Sequence, residues 1–517
     1  MENSLKRQLI KNSIWNGILS VLVKLGGMIF AVLLARFLLP EGFGIYSLSM
    51  SIILILLTFA DMGANQALLR YISHSLGSRD FSLSRGYYNY IFKIKILFST
   101  IFSILLLVLS FPISNYLFKK PDLFLPLVIL SFYLFVLSLE QFYEYFFYSI
   151  KKVNYLSIKE FVFQFSRISI LLLIFLFLTS KYYLYGAFIS LILASIITII
   201  LLRYLMNSLA PKLFSAIPKS IDKKIKKKIH NFMFYSAIGN MSTKLFGNMD
   251  MILIGFFLTS AYVGYYNAAF TIVYGISSLL SIELIVLPFF TQLSQNKTSK
   301  VFEEVVRFFS VISIPLCFGL ILLGKYFIRL LYGYTYLPAF LPLVFLAPLI
   351  FIGPLSGIIK SIFFAREKPS FFITPIFSTT IFNFVLMILI LKYLLHFSEV
   401  WAISGAAIST LFSRMIFLLY LSYIANKKFK TPLFFKSIIK PGISSIIMVL
   451  FLYFIFSNIK NMTLFSGILE ITLVASIYFL IILLIKGITK KDIASLNQFF
   501  SQKISHILKK PQEINEL

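Results

Sequence analysis

Long apolar runs alternate with short polar breaks along the whole chain, and the pattern predicts helices that cross a bilayer. A run of about 20 apolar residues spans the roughly 30 Å hydrocarbon layer as a helix, the one form that satisfies its own backbone within a single segment. Charge clusters and Pro or Gly breaks bound fourteen such runs: 12–38, 44–69, 88–112, 124–149, 157–179, 184–206, 232–258, 264–290, 306–325, 338–364, 371–395, 399–424, 441–457 and 463–486. The connections between them are short, the longest lying between the sixth and seventh runs. None is long enough to fold as a domain of its own.

Composition supports a bilayer as the solvent. Of 517 residues, 59% are hydrophobic and 13% charged, against about 45–50% and about 25% in soluble domains. The N-terminus is polar and basic and leads into a full-length run, so the first span is expected to be a retained helix and not a signal peptide. One cysteine, Cys317, excludes an intramolecular disulfide, and the four histidines have no partners at metal-ligand spacing. No metal site and no cofactor is expected.

Charge changes the picture more. Forty-eight Lys and Arg stand against 19 Asp and Glu, a formal charge of +29, which in a soluble protein suggests nucleic acid. With the N-terminus inside, 33 of the 48 cations, Lys151, Lys152 and Lys159 among them, fall in inside segments, eight in outside loops and seven within spans. That bias is the positive-inside rule, and it keeps its sign along the chain. Both termini are therefore expected in the cytoplasm, and the run Lys223–Lys228 is expected to face anionic lipid headgroups, with no nucleic-acid partner.

The first span repeats in the seventh. At an offset of 220, Lys24-Leu25-Gly26-Gly27 lies on Lys244-Leu245-Phe246-Gly247, and Gly44-Ile45-Tyr46 lies on Gly264-Tyr265-Tyr266. An offset of six spans gives the copies the same direction, the parallel-repeat arrangement of many transporters. The fold class is thus an all-α polytopic membrane protein of about fourteen helices, with two six-helix lobes in parallel pseudo-repeat and two further helices. Its divisions are residues 1–206, a basic linker 207–231, residues 232–424, the extra helices 425–486 and a basic tail 487–517.

Charges inside a span are costly and usually face a cavity. Lys24 shares a helix face with Asn16 and Ser20, and Lys244 shares one with Ser236 and Asn240, with Asp250 further along. The functional reading is two lobes presenting a lysine each to one polar cavity; the structural alternative is neutralisation by a carboxylate, Asp250 being the local partner of Lys244. Glu140, Glu144 and Arg167 form a second charged cluster on the fourth and fifth spans. Glu283, a lone carboxylate in the eighth, is a candidate coupling site. Lys93 and Lys95 are expected to face headgroups, and Lys360 and Arg414 to snorkel.

The segment Ala35-Arg36-Phe37-Leu38-Leu39-Pro40-Glu41-Gly42-Phe43-Gly44-Ile45-Tyr46 resembles a signature of the polysaccharide transporter family. Asp61-Met62-Gly63 with Ala67-Leu68-Leu69-Arg70 is similar to that family's ending of the second span, and Asp250-Met251-Ile252-Leu253-Ile254-Gly255 to its seventh-span motif. Looser matches follow at Leu331–Ala339 and Gly405–Thr410. The family belongs to the multidrug/oligosaccharidyl-lipid/polysaccharide superfamily. The resemblance implies two six-helix lobes plus two C-terminal helices, in the cell membrane. It also implies a flippase that moves a polyprenyl-(pyro)phosphate-linked oligosaccharide to the outer leaflet, with glycan biosynthesis enzymes as candidate partners. Lys24 and Lys244 then suit the phosphates. Two alternatives stand beside it: a cation-coupled exporter of small molecules on the same fold, and a membrane-embedded glycan polymerase or ligase. The last is disfavoured by outside loops whose acidic residues are Glu41, Asp122 and Glu399 only.

Overall fold

A computed structural model describes residues 2–292, 294–456 and 476–485, with side chains from Leu22 onward. Every regular element among them is helical. In chain order these are α1 (Glu2–Asp61), α2 (Ala64–Gly77), α3 (Phe81–Pro112), α4 (Phe124–Ser149), α5 (Asn154–Phe177), α6 (Tyr183–Leu209) and the short α7 (Pro211–Ser215). Then follow α8 (Lys223–Phe257), α9 (Ser260–Leu279), α10 (Glu283–Gln292), α11 (Gln295–Tyr332), α12 (Phe340–Leu346) and α13 (Leu349–Ala365). The described series closes with α14 (Ser370–Leu394), α15 (Glu399–Phe429) and α16 (Phe435–Phe456).

The protein is a multi-pass membrane protein. Among the described residues eight helices are long and apolar enough to cross a bilayer, or nine if the bent pair α12–α13 is one span. This measure falls short of the expected fourteen for physical reasons. The first two runs are continuous in α1 but broken at Leu39 (φ 58, ψ 175), where Pro40 forces the residue before it into an extended ψ. The seventh run lies on α8, which is diluted by Ser236, Asn240, Thr243, Lys244 and Asn248. The eighth is divided between α9 and α10. The fourteenth and the tail 487–517 lie largely or wholly outside the described residues. The segment 207–231 is not a free linker: it contains α7, buries Leu213 and Ile221, and pairs Lys219 N–H with the Ser82 carbonyl at 3.0 Å. Its basic run opens α8, with Lys223, Lys224, Lys227 and Lys228 exposed.

Beyond its break, α1 crosses α9 at backbone contact. A Cβ on Gly44 would strike the Ser260 carbonyl, and one on Gly264 would strike the Pro40 carbonyl. Only glycine permits this approach, as at the small-residue crossings of membrane helices. One turn further on, Asn267 Nδ2 donates to Ser47 Oγ at 2.6 Å, across a separation of 220 residues. The same spacing relates 40 to 260 and 44 to 264, so like positions of the two halves meet about one axis.

Side chains from each half also reach helix-end carbonyls of the other beside this crossing. Lys120 donates to Gly255 O and, at 2.8 Å, to Leu258 O. Tyr336 Oη donates to Ala35 O at 2.8 Å. Arg36 donates to Leu330 O and, at 2.6 Å, to Leu331 O. C-terminal carbonyls carry the negative end of the helix dipole and lack intrahelical donors, which suits them to cations.

Candidate functional site

Gly63 sets the site. It stands at the α1–α2 break in the left-handed region (φ 77), with the Met233 backbone of α8 where a Cβ would lie. A side chain there would be strained twice over. The break holds Asp61 at the end of α1 and Asn65 and Gln66 at the start of α2 toward α8. Between them lies a cavity of about 400 Å3, also walled by one face of α4 and one face of α8. The spacing of its lining residues shows those faces: Gln141, Glu144, Tyr145 and Tyr148 on α4, and Asn240, Thr243 and Lys244 on α8. These i, i+3, i+4 intervals put each set on a single stripe.

The acidic residues of the wall are ion-paired. Asp61 Oδ1 receives the fully buried Lys95 Nζ at 2.7 Å. Glu144 is bound by Lys159, which also lies 2.6 Å from Glu140 and 3.6 Å from Glu160. Lys244 forms no ion pair among the described residues, so it is the cation of the cavity wall that stands outside an ion pair. An anion entering the cavity gains a charge-assisted contact with Lys244, whose side chain is exposed.

Several expected residues lie elsewhere. Lys24 does not line this cavity; its Nζ donates to Ser278 O at the end of α9. The position 220 residues before Ser278 is Thr58, which lines the cavity with Lys244, so the two lysines stand against equivalent helix turns of opposite halves. Asp250, expected on the cavity wall or as the partner of Lys244, is buried away from it. It accepts from Tyr266 at 3.0 Å, Thr410 at 2.9 Å and Asn383 at 3.0 Å. Ser236 is half-buried and not part of the wall. The side chains of Asn16 and Ser20 lie outside the described residues.

The cluster of Glu140, Glu144 and Arg167 forms differently from the expectation. Its hub is Lys159, counted from sequence as a cytoplasmic charge, whereas Arg167 stacks 4.4 Å from the Phe30 ring and 5.1 Å from Phe163. Glu283 is not alone, since Lys360 Nζ lies 3.6 Å from Oε2. Lys95, expected at the headgroups, is the buried partner of Asp61, while its neighbour Lys93 is exposed. Arg414 donates to the Phe246 carbonyl and lies over that residue's ring. Sequence reasoning left Asn65, Gln66, Gln141, Tyr145 and Tyr148 unassigned. The polar stripe Gln141, Glu144, Tyr145, Tyr148 at helical spacing was the signal for α4.

The family described as "Polysaccharide biosynthesis protein" matches residues 9–294. The chain belongs to that family. The match takes in every residue of the cavity wall. A membrane protein in the cps region of Klebsiella pneumoniae is 24% identical over 420 residues, covering 80% of this chain and 81% of that one. Among solved structures, a lipid II flippase MurJ in an inward closed conformation superposes with a TM-score of 0.73 at 16% identity, over 91% of this chain and 98% of that one. An inward-facing multidrug resistance MATE transporter of the MOP superfamily superposes at 0.59 and 13% identity, over 80% and 96%. This member of the family therefore has the fold shared by those transporters.

Proposed function

We propose that this protein is a flippase that carries a polyprenyl-(pyro)phosphate-linked oligosaccharide from the cytoplasmic to the outer leaflet of the cell membrane. The observation that carries this reading is the cavity between α1–α2, α4 and α8, where the wall's carboxylates are engaged by lysines and Lys244 stands unpaired as the cation for a phosphate. An exporter of cationic drugs needs free carboxylates, and Asp61 and Glu144 are both engaged by lysines.

The lobes 1–206 and 232–424 rock about the Gly44–Gly264 crossing, with both termini cytoplasmic and the Leu39 break outward. Asp61 lies 22 residues beyond Leu39, about 33 Å along the helix and so near the cytoplasmic edge. In this state the outer end is closed by the crossing and the cavity serves the inner leaflet. Lys24 exchanges the Ser278 carbonyl for phosphate as the lobes part, and Glu283 beside Lys360 is a candidate coupling carboxylate. Lipid headgroups meet the exposed lysines that open α8.

Lys24→Ala with Lys244→Ala is expected to abolish surface glycan while the protein still inserts, with the lipid-linked intermediate accumulating on the cytoplasmic side. Normal surface glycan in the double variant overturns the phosphate assignment. A tag placed within 207–231 is expected to react only after permeabilisation; labelling of intact cells would reverse the orientation.

A further inference from the structure

Ionisable groups inside membrane spans often belong to proton relays. The cluster on α4 and α5 gathers three carboxylates, Glu140, Glu144 and Glu160, about one ammonium, that of Lys159. Arg167 does not make up the difference. It stacks on Phe30 and Phe163, forms no ion pair among the described residues, and its Nε and Nη2 find no acceptor. The three carboxylates are served unequally. Glu144 lines the cavity, with 27% of its side chain exposed. Glu160 accepts from Gln164 Nε2 besides facing Lys159. Glu140 is only 2% exposed; Lys159 lies 2.6 Å from its Oε1, while its Oε2 meets neither a donor nor solvent.

A carboxylate oxygen closed to water has no room for a metal ion, whereas a proton needs none. Burial of an unpartnered carboxylate is relieved by taking up a proton. We infer that Glu140 is a reversible proton site, filled and emptied through Glu144 and the cavity, and that the translocation cycle carries this proton. In the step Glu140 Oε2 gains an O–H bond, the cavity water supplies the proton, Glu144 passes it on and Lys159 stays an ammonium. Glu144 lies one turn of α4 beyond Glu140, on the cavity side. In the other direction Tyr133, two turns earlier on α4, and Ser195 on α6 bring hydroxyls beside it, with Arg167 on α5 and Tyr46 on α1 next to Tyr133. The cluster also bears on α1. A Cβ on Gly26 would strike Gln164 and one on Gly27 would touch Arg167, just past Lys24. The coupling half of the inference rests on the flippase reading and adds to it the ion; the proton site itself does not.

The test is infrared difference spectroscopy on the purified full chain in nanodiscs, acidified from alkaline pH to about 5.5, short of where ordinary carboxylates titrate. The parent is expected to gain the C=O band of a protonated carboxyl group, shifted in D2O. The band is expected to persist in Glu283→Gln and to be lost in Glu140→Gln. Should Glu140→Gln fail to fold, Glu140→Asp is expected to move the band, and a band left at the parental frequency overturns the assignment. In cells, Glu140→Gln is expected to abolish surface glycan although the extracted protein melts no lower than the parent, a combination that a merely structural role would not give. No titrating carboxyl band, or one that survives Glu140→Gln, overturns the proton site and leaves the flippase reading standing. Loss of the band with surface glycan unchanged overturns the coupling. Failure of the flippase reading shows elsewhere, as normal surface glycan in the double variant Lys24→Ala with Lys244→Ala, whose band is expected to match the parent's.

Discussion

Lys159→Met is expected to yield little or no folded protein. The ammonium group is buried on α5 against Glu140, Glu144 and Glu160, and its loss leaves three carboxylates in a low-dielectric interior. Removing one partner of a buried pair costs about 3–5 kcal/mol, a large part of the 5–15 kcal/mol by which proteins are commonly stable. The measurement is the monodisperse fraction after detergent extraction and its melting temperature. Adding Glu140→Gln, Glu144→Gln and Glu160→Gln to Lys159→Met removes the uncompensated charge and is expected to restore folding. Recovery would separate charge balance from the packing of the lysine stem. A Lys159→Met protein as stable as the parent would show that the cluster contributes nothing to the fold.

The second large effect concerns the crossing. In a protein carrying Ser47→Cys and Asn267→Cys, oxidation or a short bismaleimide is expected to join α1 to α9 and to reduce glycan translocation to background. Reduction of the disulfide is expected to restore it. The native side chains are already in hydrogen-bond contact, so a cross-link of short span captures this arrangement. The background is favourable because the sole native thiol, Cys317, is buried. Translocation at the parental rate by fully cross-linked protein would mean that the lobes do not separate here.

The architecture was legible in the sequence to different depths. Apolar run length suffices to place the helices because a bilayer imposes one length on them, and Pro40 marks the break at Leu39. The repeat was readable from Lys24 with Lys244 and Gly44 with Gly264, types that are uncommon at such depths or sterically required. Electrostatic partners were not readable. Lys93 and Lys95 differ by two positions and nothing in composition separates them, yet a helix turns about 200° between them, placing one outward and the other on Asp61. Lys159 follows Lys151 and Lys152 closely enough to be counted as a surface cation, and only its position opposite the α4 stripe makes it a hub. The cavity was half visible: Asn240 and Lys244 stood out as polar residues in an apolar span, while Asn65 and Gln66 sit at a break whose direction is set by Gly63 against Met233.

The contacts beside the α1–α9 crossing divide the work unequally between donor and acceptor. Besides the Asn267–Ser47 side-chain pair, Lys120, Arg36 and Tyr336 supply side chains whose receiving groups are all main-chain carbonyls: Gly255, Leu258, Leu330, Leu331 and Ala35. A carbonyl is present whatever residue carries it, so the receiving half of this fastening tolerates any substitution that keeps the helix end in place. Only three side chains must be kept for these carbonyl contacts to hold. An engineer could therefore loosen it stepwise, one donor at a time, and tune how firmly the two halves hold together without altering any surface that receives them.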